Sequence, residues 1–380
     1  MSVLARGLRT GGVDGIGVYT RELASALSSR EDVMLAPVSF GWSLDGASSA
    51  LPGSPLMSSG AHDLGRFAPR AACSSLFPLA FPGSGRLKGR VDVFHATDHF
   101  IPRLRGIPVV ATLMDAIPLA RPEWVRIRAR GAKNWIWRRT ARWADRIVTI
   151  SAHSRREIVE HFGVPESRVD VVPLGVDARR FAPVASGERE RVLARLGVRP
   201  PFFLFVGTIQ PRKNVERIVA AHERLPAALR SEAPLIVAGR DGWGCDELVE
   251  RLRAAAPDAP VRWLRYVSDR QAQVLMQSAT ALVFPSLHEG FGLPVVEAFA
   301  SRLPVIASST TALPEVAGDA ALLVDPTNVD EIAGAMQRVL HDDALREDLR
   351  ARGALRVREY TWERCAAATA RIYRIAAGRD

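Results

Sequence analysis

The stretch VFPSLHEGFGLPVVEAFA, residues 283–300, constrains this chain more than any other. It grows out of the apolar run Ala281–Phe284, which is short enough for a buried strand. A turn follows from Pro285 to Leu293, with Glu289 at its centre, and then a helix-like run to Ala300. Pro294 suits the first helical position, because its missing N–H would have no intrahelical partner there. Gly290, Phe291, Gly292 and Leu293 are therefore expected just before a helix N-terminus. Glycines let backbone N–H groups approach a ligand closely, and a helix N-terminus favours an anion. Glu289 precedes this turn and Glu297 is expected in the first helical turn. Carboxylates repel phosphate, so these two suit hydroxyls. A site that takes a phosphate and several hydroxyls suggests a nucleotide sugar.

Glu289 and Glu297 have seven residues between them, with GFGLP inside. A strand, this turn and a helix in that order closely resemble the E-x7-E signature of glycosyltransferase family 4. The resemblance implies that Glu289 holds hydroxyls of the donor sugar and Glu297 the nucleotide ribose. It further implies that the backbone at Gly290–Leu293 meets the distal phosphate and the sugar. Earlier in the chain, FFLFVGTIQPRKNVERIVAAHERL reads as a strand Phe202–Val206, a turn at Gly207 and a helix Asn214–Leu225. Arg212 and Lys213 stand before that helix, beyond a strand C-terminus, where two cations can neutralise a leaving diphosphate. The family version is VGTLEPRKN, whose Arg and Lys bind the diphosphate. Lys213 is one of only three lysines, so a general arginine bias does not account for it.

At 380 residues, 47% hydrophobic and 24% charged, the chain has the make-up of a soluble globular protein of about two domains. Its three cysteines, Cys73, Cys245 and Cys365, form no metal spacing and no disulfide framework, which suits a reducing cytoplasm. No run of 18 apolar residues and no signal-peptide pattern is expected to take the chain across a membrane. The net charge of +10 is uneven: residues 1–186 carry 25 basic and 16 acidic side chains, residues 187–380 carry 26 and 25. A basic first half suits an anionic partner. Residues 121–146 hold nine basic and two acidic residues with four of the eight tryptophans, Trp124, Trp135, Trp137 and Trp143. That mixture suits docking at an anionic membrane surface. No motif for nucleic acid accompanies it, and none is expected as a partner.

The first half otherwise reads as a further set of strands and helices. A loop Gly11–Gly17 precedes a helix with Tyr19, Leu23 and Leu27 at steps of four. It resembles the family's GIGRYTREL, which implies that Gly15 and Gly17 face the donor phosphates and acceptor. VDVFHATDHF and IPVVATLMDAIPL read as strands ending in polar turns, which nominates His95, Asp98, His99 and Asp115. Members resembling TLHDLIPL carry a His–Asp pair at the second of these; here the position of the His is Met114, and only Asp115 matches. Asp115 is retained as a catalytic candidate, with Asp98 and His99 on the acceptor side. Ser154–Phe162 reads as a helix capped by Gly163, and VDVVPLGVD resembles the strand that closes the first domain. ARRFAPVASGERE reads as a linker. Arg265 and Arg302 stand where the family carries Gly; at Arg302, the end of a helix, a left-handed backbone is expected to cost on the order of 1 kcal/mol.

The expected fold class is α/β: two Rossmann-like domains facing a cleft, the GT-B arrangement, with a C-terminal helix crossing back to the first. The expected divisions are an acceptor-side domain at 1–183, a nucleotide-sugar domain at 190–360 and the returning helix at 361–380. The resemblance implies a retaining, metal-independent hexosyltransferase of surface polysaccharide synthesis. Its donor would be a nucleotide sugar, GDP-mannose first, and its acceptor a glycan or lipid-linked glycan, with no cofactor. A peripheral location on the inner face of the cytoplasmic membrane fits. A non-catalytic sugar-nucleotide-binding subunit and a phosphorylase- or synthase-like enzyme remain open alternatives.

Overall fold

A computed structural model describes residues 15–40, 62–77, 79–125, 130–256 and 258–379. The expected opening strand near Val3, the glycines Gly11 and Gly12, and residues 41–61 lie outside the described residues. The chain divides into two compact units, residues 1–175 with 362–380, and residues 176–361.

In the first unit, β3 (Phe94–Ala96), β4 (Val109–Thr112), β5 (Arg146–Thr149) and β6 (Val169–Val171) form a parallel sheet in that order. A short parallel pair, β1 (Val38–Ser39) and β2 (His62–Asp63), stands apart from it. β3 and β4 are buried along their whole length, as a strand covered on both faces must be. Phe40, Phe67, Phe81 and Phe94 cluster beside this sheet, with ring centroids 5.3–6.5 Å from Phe40. The helix Ala152–Phe162 starts at Ser151, whose hydroxyl accepts the N–H of Ser154, and ends at the left-handed Gly163 as expected.

The helix after the glycine loop begins earlier than its sequence suggests. It runs Gly15–Ser28, so Gly15 and Gly17 lie in its first turn and not in a loop. Tyr19, Leu23 and Leu27 are all buried, and the burial of that stripe outweighs the weak helix preference of two glycines. The C-terminal helix Trp362–Ala376 belongs to this first unit. It packs on Gly15–Ser28, with Trp362 6.3 Å from the Tyr19 ring. A buried chain of hydrogen bonds ties it down: Tyr373 to His95 Nδ1 at 2.7 Å, His95 Nε2 to Thr112 at 2.8 Å, and Thr112 to Tyr19 at 2.8 Å. Burial pushes the His95 imidazole down to about 3, so this chain is uncharged at neutral pH.

The second unit is built on a six-stranded parallel sheet: β7 (Phe203–Val206), β8 (Leu235–Ala238), β9 (Val261–Arg265), β10 (Ala281–Phe284), β11 (Val305–Ser308) and β12 (Leu322–Val324). The spatial order is β12-β11-β10-β7-β8-β9. The chain thus lays down three strands in one direction, returns to the middle and lays three in the other. Two adjacent strands, β7 and β10, flank the point where the order reverses, and crevices of open α/β sheets form outside the C-terminal strand ends there. The stretch read as a linker is part of this unit. A turn Ala178–Phe181 and a helix Ser186–Leu196 occupy it, and Gln273 and Gln277 donate to the carbonyls of Phe181 and Ala182. Arg302 is left-handed at φ 56°, and Leu303 N–H returns to the Ala298 carbonyl, the bond pattern that glycine ordinarily completes at a helix end.

Candidate active site

The turns after β7 and β10 meet at the reversal point of the second sheet. Beyond β7, Pro211–Lys213 makes a single tight turn, and Asn214 takes a left-handed backbone at φ 61° before the helix Val215–Arg224. Beyond β10 the chain runs through Glu289 to the left-handed Gly292, φ 104°, which precedes the helix Leu293–Ala300. Pro294 is thus the second helical residue, and Glu297 falls in the second turn of the helix, not the first. A Cβ at Gly292 would stand 2.4 Å from a Leu313 methyl, so both backbone and space favour glycine there.

The sequence separates the roles of the cations and of Glu289; the structure joins them. Lys213 Nζ lies 2.5 Å from one Glu289 oxygen and Arg212 Nη1 2.9 Å from the other, across 76 and 77 residues of sequence. Arg212 also donates to the His288 carbonyl at 3.2 Å, and its own carbonyl accepts the N–H of Leu287 at 2.7 Å. Lys213 and Glu289 are both buried, and the ammonium sits 4.7 Å from the Phe284 ring centroid. Burial by itself pushes the Glu289 carboxyl up, but Lys213 and Arg212 overcome it and hold the group down at about 2. Burial lowers Lys213 from the usual lysine range, Glu289 opposes that shift, and the Arg212 charge adds to it. Desolvated cations of this kind gain strongly from an anion brought into the same site.

Residues outside the sequence-based set hold this cluster in place. Asn214 donates its side-chain amide to the carbonyls of Pro285, at 2.8 Å, and Pro326, at 2.7 Å, while Arg217 donates to its oxygen at 2.9 Å. It ties the β7 turn to the β10 turn and so aims Lys213 at Glu289. Thr311, left-handed at φ 61°, accepts the N–H of Glu289 at 3.3 Å. The Asn in PRKN was a signal for the first; nothing local marked the second. Phe291 contributes backbone only, because its ring is buried edge-on against Tyr360 at 5.5 Å.

Beside the cluster, along the C-terminal ends of β7, β8 and β9, lies a cavity of about 430 Å³. Gly207, Gly239, Tyr266, Gln273 and Glu297 are among its lining residues. Its floor depends on two backbones in close approach: a Cβ at Gly239, φ 152°, would stand 1.9 Å from the Gly207 carbonyl oxygen. Tyr266 is exposed at the rim and carries the Arg240 guanidinium 4.8 Å from its ring centroid. Neither Tyr266 nor Arg240 was singled out in the sequence; an aromatic residue just past a strand end was the available sign.

In the first unit the nominated Asp98, Asp115 and His99 each have a partner close by. An oxygen of Asp98 accepts the N–H of the next residue, His99, and an oxygen of Asp115 accepts the N–H of Ile117 at 3.0 Å. The His99 ring stacks on Trp137, with centroids 4.7 Å apart, and on Phe162 at 6.0 Å.

Two family models match the chain, one over each half. Residues 13–180 match the model described as Glycosyltransferase Family 4, and residues 188–356 the model described as Glycosyl transferases group 1. The chain belongs to glycosyltransferase family 4.

Among family relatives, the chain is 36% identical over 233 residues to O-antigen chain mannosyltransferase B of Escherichia coli, a match covering 61% of each protein. It is 31% identical over 289 residues to the MMP alpha-(1->4)-mannosyltransferase of Mycolicibacterium hassiacum, covering 72% of this chain and 67% of that one. The match thus spans about three fifths to two thirds of these relatives' length. Among solved structures, Anabaena HepE in complex with UDP and glucose has a TM-score of 0.71 at 15% identity, covering 96% of both chains. That likeness concerns the fold: two α/β units with parallel sheets, as in GT-B glycosyltransferases.

Proposed function

We propose that this chain is a retaining hexosyltransferase that moves mannose from GDP-mannose to a hydroxyl of a glycan or lipid-linked glycan in surface polysaccharide synthesis. The observation that carries the reading is the convergence of Arg212, Lys213 and Glu289 beside the N-terminus of helix Leu293–Ala300, next to a cavity with Glu297 in its wall. The mannosyltransferase relatives support the choice of sugar. In this reading the cavity takes the nucleoside, with Glu297 on the ribose hydroxyls. Arg212, Lys213 and the backbone at Gly290–Leu293 take the diphosphate, and Glu289 takes sugar hydroxyls while holding both cations in place.

The bond from the anomeric carbon to the diphosphate oxygen breaks as the acceptor oxygen bonds to the same face of the sugar. The acceptor proton passes to the departing phosphate oxygen, so no enzyme nucleophile and no metal ion takes part. Charge develops on the leaving diphosphate, where Lys213 and Arg212 stabilise it. Asp115, Gly15 and Gly17 enter this reading on the family resemblance, and Asp98 and His99 on their place beyond a strand end; none enters on the geometry. A lipid-linked acceptor would be met at an anionic membrane surface, in the cytoplasm. Among the described residues no helix is long and apolar enough to cross a membrane.

The test is release of nucleotide from a panel of GDP- and UDP-sugars with no acceptor added, followed by melting with each donor. Slow release of GDP from GDP-mannose, lost in Glu289→Ala, is expected. A melting temperature that no nucleotide sugar raises would overturn the site itself.

A further inference from the structure

Eight large apolar side chains are exposed among the described residues. Four of them come from two packed segments of the first unit. Leu76 (70% exposed), Phe77 (57%) and Leu79 (53%) stand at and just beyond the end of helix Phe67–Leu76, and Trp135 (48%) is on helix Arg130–Ala141, which packs against it. An ordinary soluble surface scatters single apolar side chains among charges of both signs. Neither holds here. No acidic residue occurs between Asp63 and Asp92, where five basic residues stand, nor between Glu123 and Asp145, where seven stand. Arg66, Arg130, Arg139 and Arg142 are among the exposed ones.

The structure also redraws the docking face expected for residues 121–146. Trp137 and Trp143 pack against the core of the first unit, and Trp124 is half-buried, with the Arg121 guanidinium 5.6 Å from its ring centroid. Trp135 alone of the four is exposed, and among the described residues Leu76, Phe77 and Leu79 add exposed apolar area on the segment packed against its helix.

We propose that this surface docks on an anionic lipid bilayer, with Leu76, Phe77, Leu79 and Trp135 entering the headgroup boundary and the arginines meeting lipid phosphates. The proposal deepens the membrane part of the reading above and rests on it for its purpose, delivery of a lipid-linked acceptor. The chemistry selects this partner. Aliphatic side chains such as Leu76 and Leu79 gain by entering hydrocarbon, and a charge field of one sign attracts anionic headgroups. A nucleic acid would use stacking aromatic planes and would leave the leucines in water.

The experiment is flotation of the full chain with vesicles of phosphatidylcholine and phosphatidylglycerol, compared with phosphatidylcholine alone. Flotation is expected only with the anionic vesicles and is expected to fall with salt. The variant Leu76→Ser/Phe77→Ser/Leu79→Ser is expected to stay in solution. Arg130→Ser and Arg139→Ser should each weaken partitioning about fivefold. Vesicles should shift the tryptophan emission to the blue in the wild type and not in Trp135→Phe. No flotation, equal flotation with neutral vesicles, or variants that float like the wild type would each overturn the proposal. So would variants that keep vesicle binding and lose only binding to a single-stranded oligonucleotide. Donor hydrolysis and melting temperature should be unchanged in all of these surface variants. Absence of hydrolysis in every form, with flotation intact, would count against the transferase reading and leave this surface standing.

Discussion

The two units share a parallel-sheet architecture and handle their polar residues in opposite ways. The second buries charges: Lys213 and Glu289, brought together over 76 residues with Arg212 beside them. The first buries a neutral chain, Tyr19–Thr112–His95–Tyr373, which fastens the C-terminal helix. Its Asp98 and Asp115 turn oxygens to nearby backbone N–H groups. Buried charge is expensive and weak as a device for stability, so a buried cluster at a strand-order reversal points to chemistry. A strand end bearing polar residues is therefore not yet a site. The distinguishing mark is convergence of charges from turns far apart in sequence.

The largest expected effect tests that contrast directly. Lys213→Ala leaves Glu289 paired with Arg212, so the fold should persist while donor turnover falls about 10²–10³-fold. Turnover and thermal melting, measured together, check this; unchanged turnover would break the comparison. Next comes acid sensitivity. His95 is held neutral by burial, so the stability it contributes is full above its ordinary value of 6.5 and drains away as pH falls toward about 3. Glu289 is held ionised, so its contribution is full above 4.5 and is lost only as pH falls toward about 2. On acidification the first unit should therefore loosen before the second, as hydrogen exchange at amides of each unit would report. His95→Gln should flatten the limb between 6.5 and about 3.

A smaller effect is expected from Asp98→Asn. Its turnover should stay near the wild type, and a loss as deep as that of Lys213→Ala would move chemistry into the first unit and erase the contrast. The smallest concerns backbone strain in the second unit. Arg302→Gly relieves a left-handed arginine and should raise stability by up to about 1 kcal/mol, read from a denaturant midpoint, with turnover unchanged.

What the sequence determined by itself is what short-range physics encodes. The apolar run before Glu289, the proline after Gly292, the capping Gly163 and the helical stripe Tyr19–Leu23–Leu27 each state a local preference that the fold obeys. The spacing of Glu289 and Glu297, with the PRKN turn, was enough to reach the family. The left-handed Arg302 was legible as a departure from glycine at a helix end. Tertiary structure decided the rest. Burial of a whole stripe drew Gly15 and Gly17 into a helix that their propensity disfavours. Packing sent Trp137 and Trp143 inward and left Trp135 exposed on a helix that packs against helix Phe67–Leu76, which no single-segment periodicity could disclose. The pairing of Lys213 with Glu289 depends on β7 and β10 being neighbours in the sheet, a consequence of strand order. Local sequence specifies how each turn bends; only the assembled sheet specifies which turns meet.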